Sequence, residues 1–325
     1  VVAGAFTNIA GATRNRLARF NTDFSLDTTY NPNLAATVNT LALQPDGKIL
    51  AGGVGLLKRV NADGSVDGAF VAPQDTTYAL AIQGDGRVLT DSAFTLGARL
   101  TRSVRRLNAD GSLDATFVNA TTAGDTGSQL RLLQTDGRII VNSTVSGLMT
   151  NLLRLNANGS IDSTFNPGVS GVTAAALQTD GRIVIAGNFT SVCGLPRGSL
   201  ARLAASTVAA QAVTATTTSA VWARSGASPE VSSAVFERSA DGTNWTTLGT
   251  AGRVSGTANW QLNGLSLPSS GLFYLRVRGI TPAGAGTSSG IIEAAREFNL
   301  SAVAGVGPAS SSGVTRRLKF DGGGT

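Results

Sequence analysis

"RRLNADGSLDATF", Arg105 to Phe117, is written four times along the chain. It returns as "LKRVNADGSVDGAF" from Leu57, as "LLRLNANGSIDSTF" from Leu152 and, in a weaker form, as "LARFNTDFSLDTTY" from Leu17. A second pattern alternates with it. "LALQPDGKILAGG" from Leu41 recurs as "LAIQGDGRVLT" from Leu80, "LLQTDGRIIV" from Leu132 and "ALQTDGRIVIAGNF" from Ala176. Each copy of this second pattern is an apolar run, then Asp-Gly, then a basic residue and another apolar run. Asp-Gly between apolar runs is a strong hairpin signal, because both central residues of a type I′ turn need positive φ. Such turns are therefore expected at Asp46-Gly47, Asp85-Gly86, Asp136-Gly137 and Asp180-Gly181, each joining two antiparallel strands.

Folding "RVNADGSVD" about Asp63 sets Arg59 opposite Asp67 and Asn61 opposite Ser65. The same operation pairs Arg19 with Asp27, Arg106 with Asp114 and Arg154 with Asp162. A directly opposed pair of unlike charges stabilises a sheet by about 0.2–1 kcal/mol. That is a sufficient structural reason for the repeated Arg and Asp. The equivalent arginines are residues 19, 59, 106, 154 and 202, spaced by 40, 47, 48 and 48. Two hairpin patterns per period imply four strands per repeat, the signature of a β-propeller blade, whose faces are buried only by stacking on its neighbours.

"LQPDGKILAGG" followed by "RLNADGSLDATF" resembles the delta-60 repeat, a β-propeller repeat of bacterial surface and secreted proteins. The resemblance covers about residues 1–205. It implies a propeller and an extracellular setting. The family has no common catalytic residues, so none is carried over. "VVAGAF" at the start aligns with "VIAGNF" at Val184 to Phe189, so the first blade is expected to open at its second strand. "GSLARLAAS" from Gly198 supplies a third strand, and no "DGSxD" strand follows it. The count is three complete blades flanked by two incomplete ones. Either those ends complete each other in a five-bladed ring, or further blades lie upstream.

After Ala205 the pattern changes. "TVAAQAVTATTTSAVWARS" reads as strands with a buried Trp222, and "AVFERSADGTNWTTLGT" as a hairpin about Asp241-Gly242 with Trp245. Alternation in "FYLRVRG" puts Tyr274, Arg276 and Arg278 on one face and Phe273, Leu275 and Val277 on the other. Leu267-Pro268, then Tyr274 and "LRVRG", resembles the late strands of a fibronectin type III domain. Residues 206–299 have the length of its seven-stranded sandwich. "LPSSG" from Leu267 lies mid-domain and reads as a loop. The Gly/Ser-rich tail, residues 300–325, is linker-like at first, and its "GVTRRLKF" could extend as a donor strand.

Composition bounds the chemistry. The 325 residues carry a formal charge of +6, with arginines spread along the chain and one small cluster at Arg102, Arg105 and Arg106. Dispersed arginine with few aromatics reads as a mildly basic solvated surface, with no nucleic-acid partner expected. Cys193 is the single cysteine, so no disulfide forms within the chain and no Cys-based metal site exists; read from the sequence, its thiol is inert. No apolar run approaches the ~20 residues of a membrane span.

"NADGSVD" spaces its oxygen ligands as a calcium loop does, but an EF-hand needs a bidentate Glu at its twelfth position. Counted from Asn61, Asn108 and Asn156 that position holds Ala72, Asn119 or Pro167, so the stretch reads as a turn. With no His there is no His-based triad or His-liganded metal. The four Glu (Glu230, Glu237, Glu293, Glu297) lie in the second module and read as surface or terminal residues. Asp75, Asp91 and Asp125 stand outside the repeated motifs of the propeller and read as solvated loop residues. The sequence-level expectation is thus an all-β chain that is not an enzyme, with no catalytic, cofactor-binding or metal residues. It would serve bacterial surface structure, adhesion or head-to-tail assembly, with other copies of itself and cell-surface polysaccharide as partners. A propeller binding or cleaving a glycan at its channel mouth, and a calcium-stabilised repeat scaffold, are the alternatives.

Overall fold

The computed structural model describes residues 1–96, 99–118, 127–144, 151–205, 207–281 and 290–300. Asp125 and residues 301–325, which include the "GVTRRLKF" read as a donor strand, lie outside them. The described chain is all-β.

Five antiparallel sheets follow one another, and they are the propeller blades. The first pairs Val2–Ala3 with Leu17–Ala18. The second holds Val38–Leu43, Ile49–Gly53 and Leu56–Val60, and the third Thr76–Ile82, Val88–Leu96 and Arg99–Leu107. Gly127–Leu133, Ile139–Thr144 and Asn151–Leu155 form the fourth, and Val172–Leu177, Ile183–Gly187 and Leu200–Leu203 the fifth.

The expected fourth strand of each blade is reduced to a single bridging pair. These pairs are Phe20 with Leu26, Val60 with Val66, Leu107 with Leu113 and Leu155 with Ile161. The cause is the aspartate one residue further on. Asp67 Oδ1 accepts from the Ala69 amide at 3.0 Å, and its carbonyl accepts from the Phe70 amide at 3.2 Å, so the chain bends away after one pair. Asp27, Asp114 and Asp162 accept from Thr29, Thr116 and Thr164 in the same way.

The turns are also corrected. In the second blade the Gln44 amide bonds the Lys48 carbonyl at 2.8 Å and the Gly47 amide bonds the Gln44 carbonyl at 3.0 Å. Gly47 has φ 83°, and Asp46 does not share its positive φ. This is a type I turn closed by a glycine bulge, not type I′. Pro45 stands at the first turning position, where its ring fixes φ near −65° and suits type I. The "NADGS" turns are built identically, with the Asn61 amide on the Ser65 carbonyl at 2.8 Å and the Gly64 amide on the Asn61 carbonyl at 3.0 Å. One turn therefore serves both halves of the repeat. In the first blade Phe24 occupies the bulge position at φ 63° and is 86% exposed.

The core lies between blades. Ala42, Leu50 and Leu57 of the second blade pack with Leu80, Val88 and Leu107 of the third, and Phe70 fills the gap. Leu89 and Val104 meet Leu130, Ile139 and Val141 of the fourth. Ile140 and Leu152 meet Val172, Ile183 and Ile185 of the fifth. Among the described residues no such cluster joins the fifth blade to the first.

Beyond residue 206 lie two four-stranded sheets. One runs Ala210–Ala215, Ser219–Ser225, Trp260–Asn263, Gly252–Arg253, and the other Thr246–Thr250, Ser233–Ser239, Gly271–Thr281, Gly290–Leu300. They enclose one core, with Trp222, Trp260, Phe236 and Phe273 at its centre. The alternation read in "FYLRVRG" holds: Phe273, Leu275 and Val277 are buried and Tyr274, Arg276 and Arg278 are not. The described strands number eight rather than seven, because Gly252–Arg253 adds a short edge.

Candidate functional site

The repeated charges converge on one carboxylate per blade. Asp67 accepts from Arg59 Nε at 2.8 Å, as the folding about the turn predicts, and also from Lys48 Nζ at 2.9 Å. Asp114 takes Arg106 at 2.8 Å and Arg87 at 3.2 Å; Asp162 takes Arg154 at 2.7 Å and Arg138 at 3.5 Å. The second cation is the basic residue after Asp-Gly, so the two halves of the repeat meet at this point. The guanidinium also lies over the aromatic that ends the motif, Arg19 over Tyr30 at 4.2 Å and Arg59, Arg106 and Arg154 over Phe70, Phe117 and Phe165 at 4.8 Å. A further N–H crosses to the next blade. Arg19 Nη1 bonds the Ala62 carbonyl at 2.6 Å, Arg59 that of Ala109 at 2.6 Å, and Arg106 that of Ala157 at 2.5 Å. Arg19, Arg59 and Arg106 are thus latches between blades and more than cross-strand partners.

These contacts hold the aspartates ionised. The Thr29 hydroxyl and Arg19 lower Asp27 to about 2; Lys48 and the Ala69 amide lower Asp67 to about 2; the Thr116 hydroxyl, the Thr116 amide and Arg106 lower Asp114 to about 2. Burial pushes Asp162 up, but Thr164 and Arg154 outweigh it and the net shift is downward. The oxygens read as calcium-like are engaged within the turn. Asp63 Oδ1 accepts from the Ser65 amide at 2.9 Å and its hydroxyl at 2.7 Å, and Asn61 Nδ2 donates to Ser65 Oγ at 2.9 Å.

The third blade departs from the repeat. Asp91, read as a solvated loop residue, sits in the strand Val88–Leu96 and is fully buried. It accepts two bonds from Arg102, at 2.7 and 2.8 Å, and Arg102 lies over the half-exposed Tyr78 ring at 3.9 Å. Burial pushes the Asp91 carboxyl up against the pull of Arg102. Asp75, just ahead of the strand Thr76–Ile82, pairs with Arg105, which lies over Phe94 at 4.3 Å. Asp75 and Arg105 share a narrow cavity with Thr90 and Ser92, whose side chains leave the strand on the face opposite Asp91. The two carboxylates therefore do not converge on one cleft. Arg102, Arg105 and Arg106, read as a basic cluster, each have an acid of their own.

Glu230 is a second correction, since it is buried rather than on the surface. Its carboxylate takes Arg253 Nη1 at 3.1 Å and Nη2 at 2.9 Å, and Arg224 Nη1 lies 3.9 Å away. Arg224, wholly buried, is lowered to about 10 by that burial and stacks on Trp222 at 4.4 Å. Around this triad the sandwich is stitched to the fourth blade. The Glu230 amide bonds the Leu133 carbonyl at 3.0 Å, the Thr135 amide the Ser228 carbonyl at 2.9 Å, and the Asp136 amide the Gly226 carbonyl at 3.1 Å. Gln134 and Pro229 form a bridging pair. Among the described residues no group of three or more His, Cys, Asp or Glu is placed to hold a metal ion, and no helix is long and apolar enough to cross a membrane.

No curated protein matches the sequence. Solved structures resemble it weakly. A protein of unknown function from Bacteroides caccae is 16% identical, with 63% of this chain and 77% of that one covered and a TM-score of 0.36. XC5397, a gluconolactonase from Xanthomonas campestris, is 12% identical over 65% of this chain and 75% of its own, at a TM-score of 0.34. PorZ, a bacterial surface component of the type-IX secretion system of Porphyromonas gingivalis, is 14% identical over 88% of this chain and 45% of its own, at 0.32. The expectation that this chain is not an enzyme does not stand: XC5397, which it resembles, is a gluconolactonase. Residues 1–30, 44–70, 83–117, 134–165 and 178–206 match the family described as "Domain of unknown function (DUF5122) beta-propeller". The five matched segments fall one to a sheet, those from the second on starting after that sheet's first strand, and residues 1–206 carry five matches to that β-propeller family.

Proposed function

We propose that the chain is a structural and adhesive module of a bacterial surface or secreted protein, with a propeller of residues 1–205 carrying a fibronectin type III-like sandwich over 206–299. The observation that carries this reading is the latch. The charges that recur from blade to blade serve to hold one blade to the next, as in Arg106 with Asp114, Phe117 and the Ala157 carbonyl. The strand order of the sandwich supports the fibronectin-like reading, since its first, second and late strands share one sheet and the Gly271–Thr281 and Gly290–Leu300 hairpin closes the other. The seam at Glu230 presents the two parts as one scaffold. Its binding partner in this reading is cell-surface polysaccharide. Antibody labelling of intact producing cells, together with co-sedimentation of the purified chain with isolated wall polysaccharide, tests it. Surface label and co-sedimentation are expected; a purely cytosolic pool overturns the reading.

A further inference from the structure

"FTNIAGATRNRLAR", Phe6 to Arg19, and "FTSVCGLPRGSLAR", Phe189 to Arg202, build the same loop in the first and fifth blades. Each holds a two-residue hairpin, Asn8–Ile9 with Ala12–Thr13 and Ser191–Val192 with Leu195–Pro196. Each is turned by two positive-φ residues, Ala10-Gly11 and Cys193-Gly194. The backbone bonds repeat too: the Arg16 amide to the Phe6 carbonyl and the Ser199 amide to the Phe189 carbonyl, both 3.0 Å. The two loops can be compared atom for atom.

They differ in what lies against them. In the first blade the segment Asn21 to Tyr30 returns across the loop. Leu17 is fully buried, Arg14 donates to the Thr28 carbonyl at 3.0 Å, and Arg19 holds Asp27 at 2.8 Å and stacks on Tyr30. In the fifth blade the counterpart of Leu17 is Leu200, 64% exposed, and Arg197 and Arg202 are exposed. The Arg202 guanidinium has no acid among the described residues. Arg182, whose counterparts Lys48, Arg87 and Arg138 reach the latch aspartate, pairs only with Asp180 of its own turn at 2.9 Å. The strand Leu200–Leu203 pairs with Ile183–Gly187 on one side and, among the described residues, has no strand on the other. An edge with free backbone groups is a template for an added strand.

We propose that this edge is a receptor for an extended acidic segment of a separate protein, of the form Asp-Gly-Ser-x-Asp-x-x-Phe. Such a segment seats as each earlier blade's own segment does. Its second aspartate joins Arg202 and Arg182, its aromatic lies on the Arg202 guanidinium, and its backbone extends the sheet over Leu200. Charge complementarity selects the occupant, because Arg182 and Arg202 hold the sequence positions from which two cations reach one carboxylate in three sister blades. The inference goes beyond the scaffold reading and does not depend on the compartment in which the protein works.

The test is fluorescence anisotropy of a labelled peptide with the sequence of residues 108–118, titrated with the full chain. Saturable binding is expected. It should weaken about tenfold or more with Arg202→Ala, with Arg182→Ala, and with a peptide whose second aspartate is asparagine, since each change removes a charge-assisted bond. The peptide variant leaves the protein untouched, so it reads the contact even if a protein variant folds poorly. Absence of binding, or binding indifferent to all three changes, overturns the proposal. So does self-association of the chain that Arg202→Ala abolishes, which would make the occupant a second copy. Binding that appears only after removal of residues 301–325 would make the occupant the chain's own tail, and overturns it equally.

Discussion

The propeller and the sandwich each surround a buried carboxylate with two cations, but in opposite ways. In the propeller, Asp67, Asp114 and Asp162 sit near the rim beside their turns, and one cation of each pair keeps partial contact with water, as Arg87 does at 40% exposed. In the sandwich, Glu230, Arg224 and Arg253 are nearly sealed, at 2%, 0% and 9% side-chain exposure. Where one cation of the pair stays in contact with water, that cation keeps part of its hydration and the site can relax when a partner is lost. A sealed one depends on its partners completely, since removing one strands the others in low dielectric. The repeated site tolerates variation from blade to blade; the single site does not.

Glu230→Ala should have the largest effect, costing about 3–5 kcal/mol, because it leaves two buried guanidinium groups without their acid. All three Trp (Trp222, Trp245, Trp260) lie in the sandwich. Urea unfolding followed by Trp fluorescence should therefore shift to a lower midpoint than in the parent. An unchanged midpoint would remove the contrast between the two parts. Arg154→Ala comes next, at about 2 kcal/mol, since this arginine is 2% exposed and loses both Asp162 and the Phe165 ring. Arg19→Ala should cost less, because its side chain is 32% exposed. Equal losses at the two positions would show that burial does not grade these Arg–Asp pairs. Circular dichroism in urea measures both.

Acid should sharpen the comparison further. Asp27, Asp67 and Asp114 are lowered in the folded chain from 3.8 to about 2. Their stabilisation is complete above pH 3.8 and is lost as the pH falls toward 2. The thermal midpoint should drop steeply across that window, and Asp27→Asn, Asp67→Asn and Asp114→Asn together should flatten the drop. The smallest effect is a gain. Phe24→Gly relieves a side chain held at φ 63° and should raise stability by about 1 kcal/mol, read as a higher melting temperature. No gain would mean that Phe24 makes up its backbone strain by contacts of its own.

Much of the propeller was legible because the repeat writes the same local solution several times. Folding the motif about Asp63 pairs Arg59 with Asp67 from nine residues of sequence, and the structure has that pair at 2.8 Å. Lys48, the other partner of Asp67, comes from a different hairpin, so only the juxtaposition of two turns reveals it. The turn type was less legible, since Asp-Gly suits both the central pair of a type I′ turn and the type I turn closed by a glycine bulge that forms. Asp91 was missed for a different reason. Its blade has a longer central strand than the second blade, Val88–Leu96 against Ile49–Gly53, and the aspartate, standing where the other copies have Gly52, Asn142 and Ala186, reads locally as a loop. Glu230 occurs once, after a proline, with its two arginines on other strands, and no periodicity marks it.

The seam has a mechanical consequence. The covalent path into the sandwich leaves from Leu203 of the fifth blade, yet the hydrogen bonds at Leu133, Thr135 and Asp136 anchor the sandwich to the fourth. A pull on the sandwich is therefore shared between a tether and a clamp on different blades. The clamp bonds must part before the tether alone carries load, so the fifth blade bears the whole pull only after the fourth lets go.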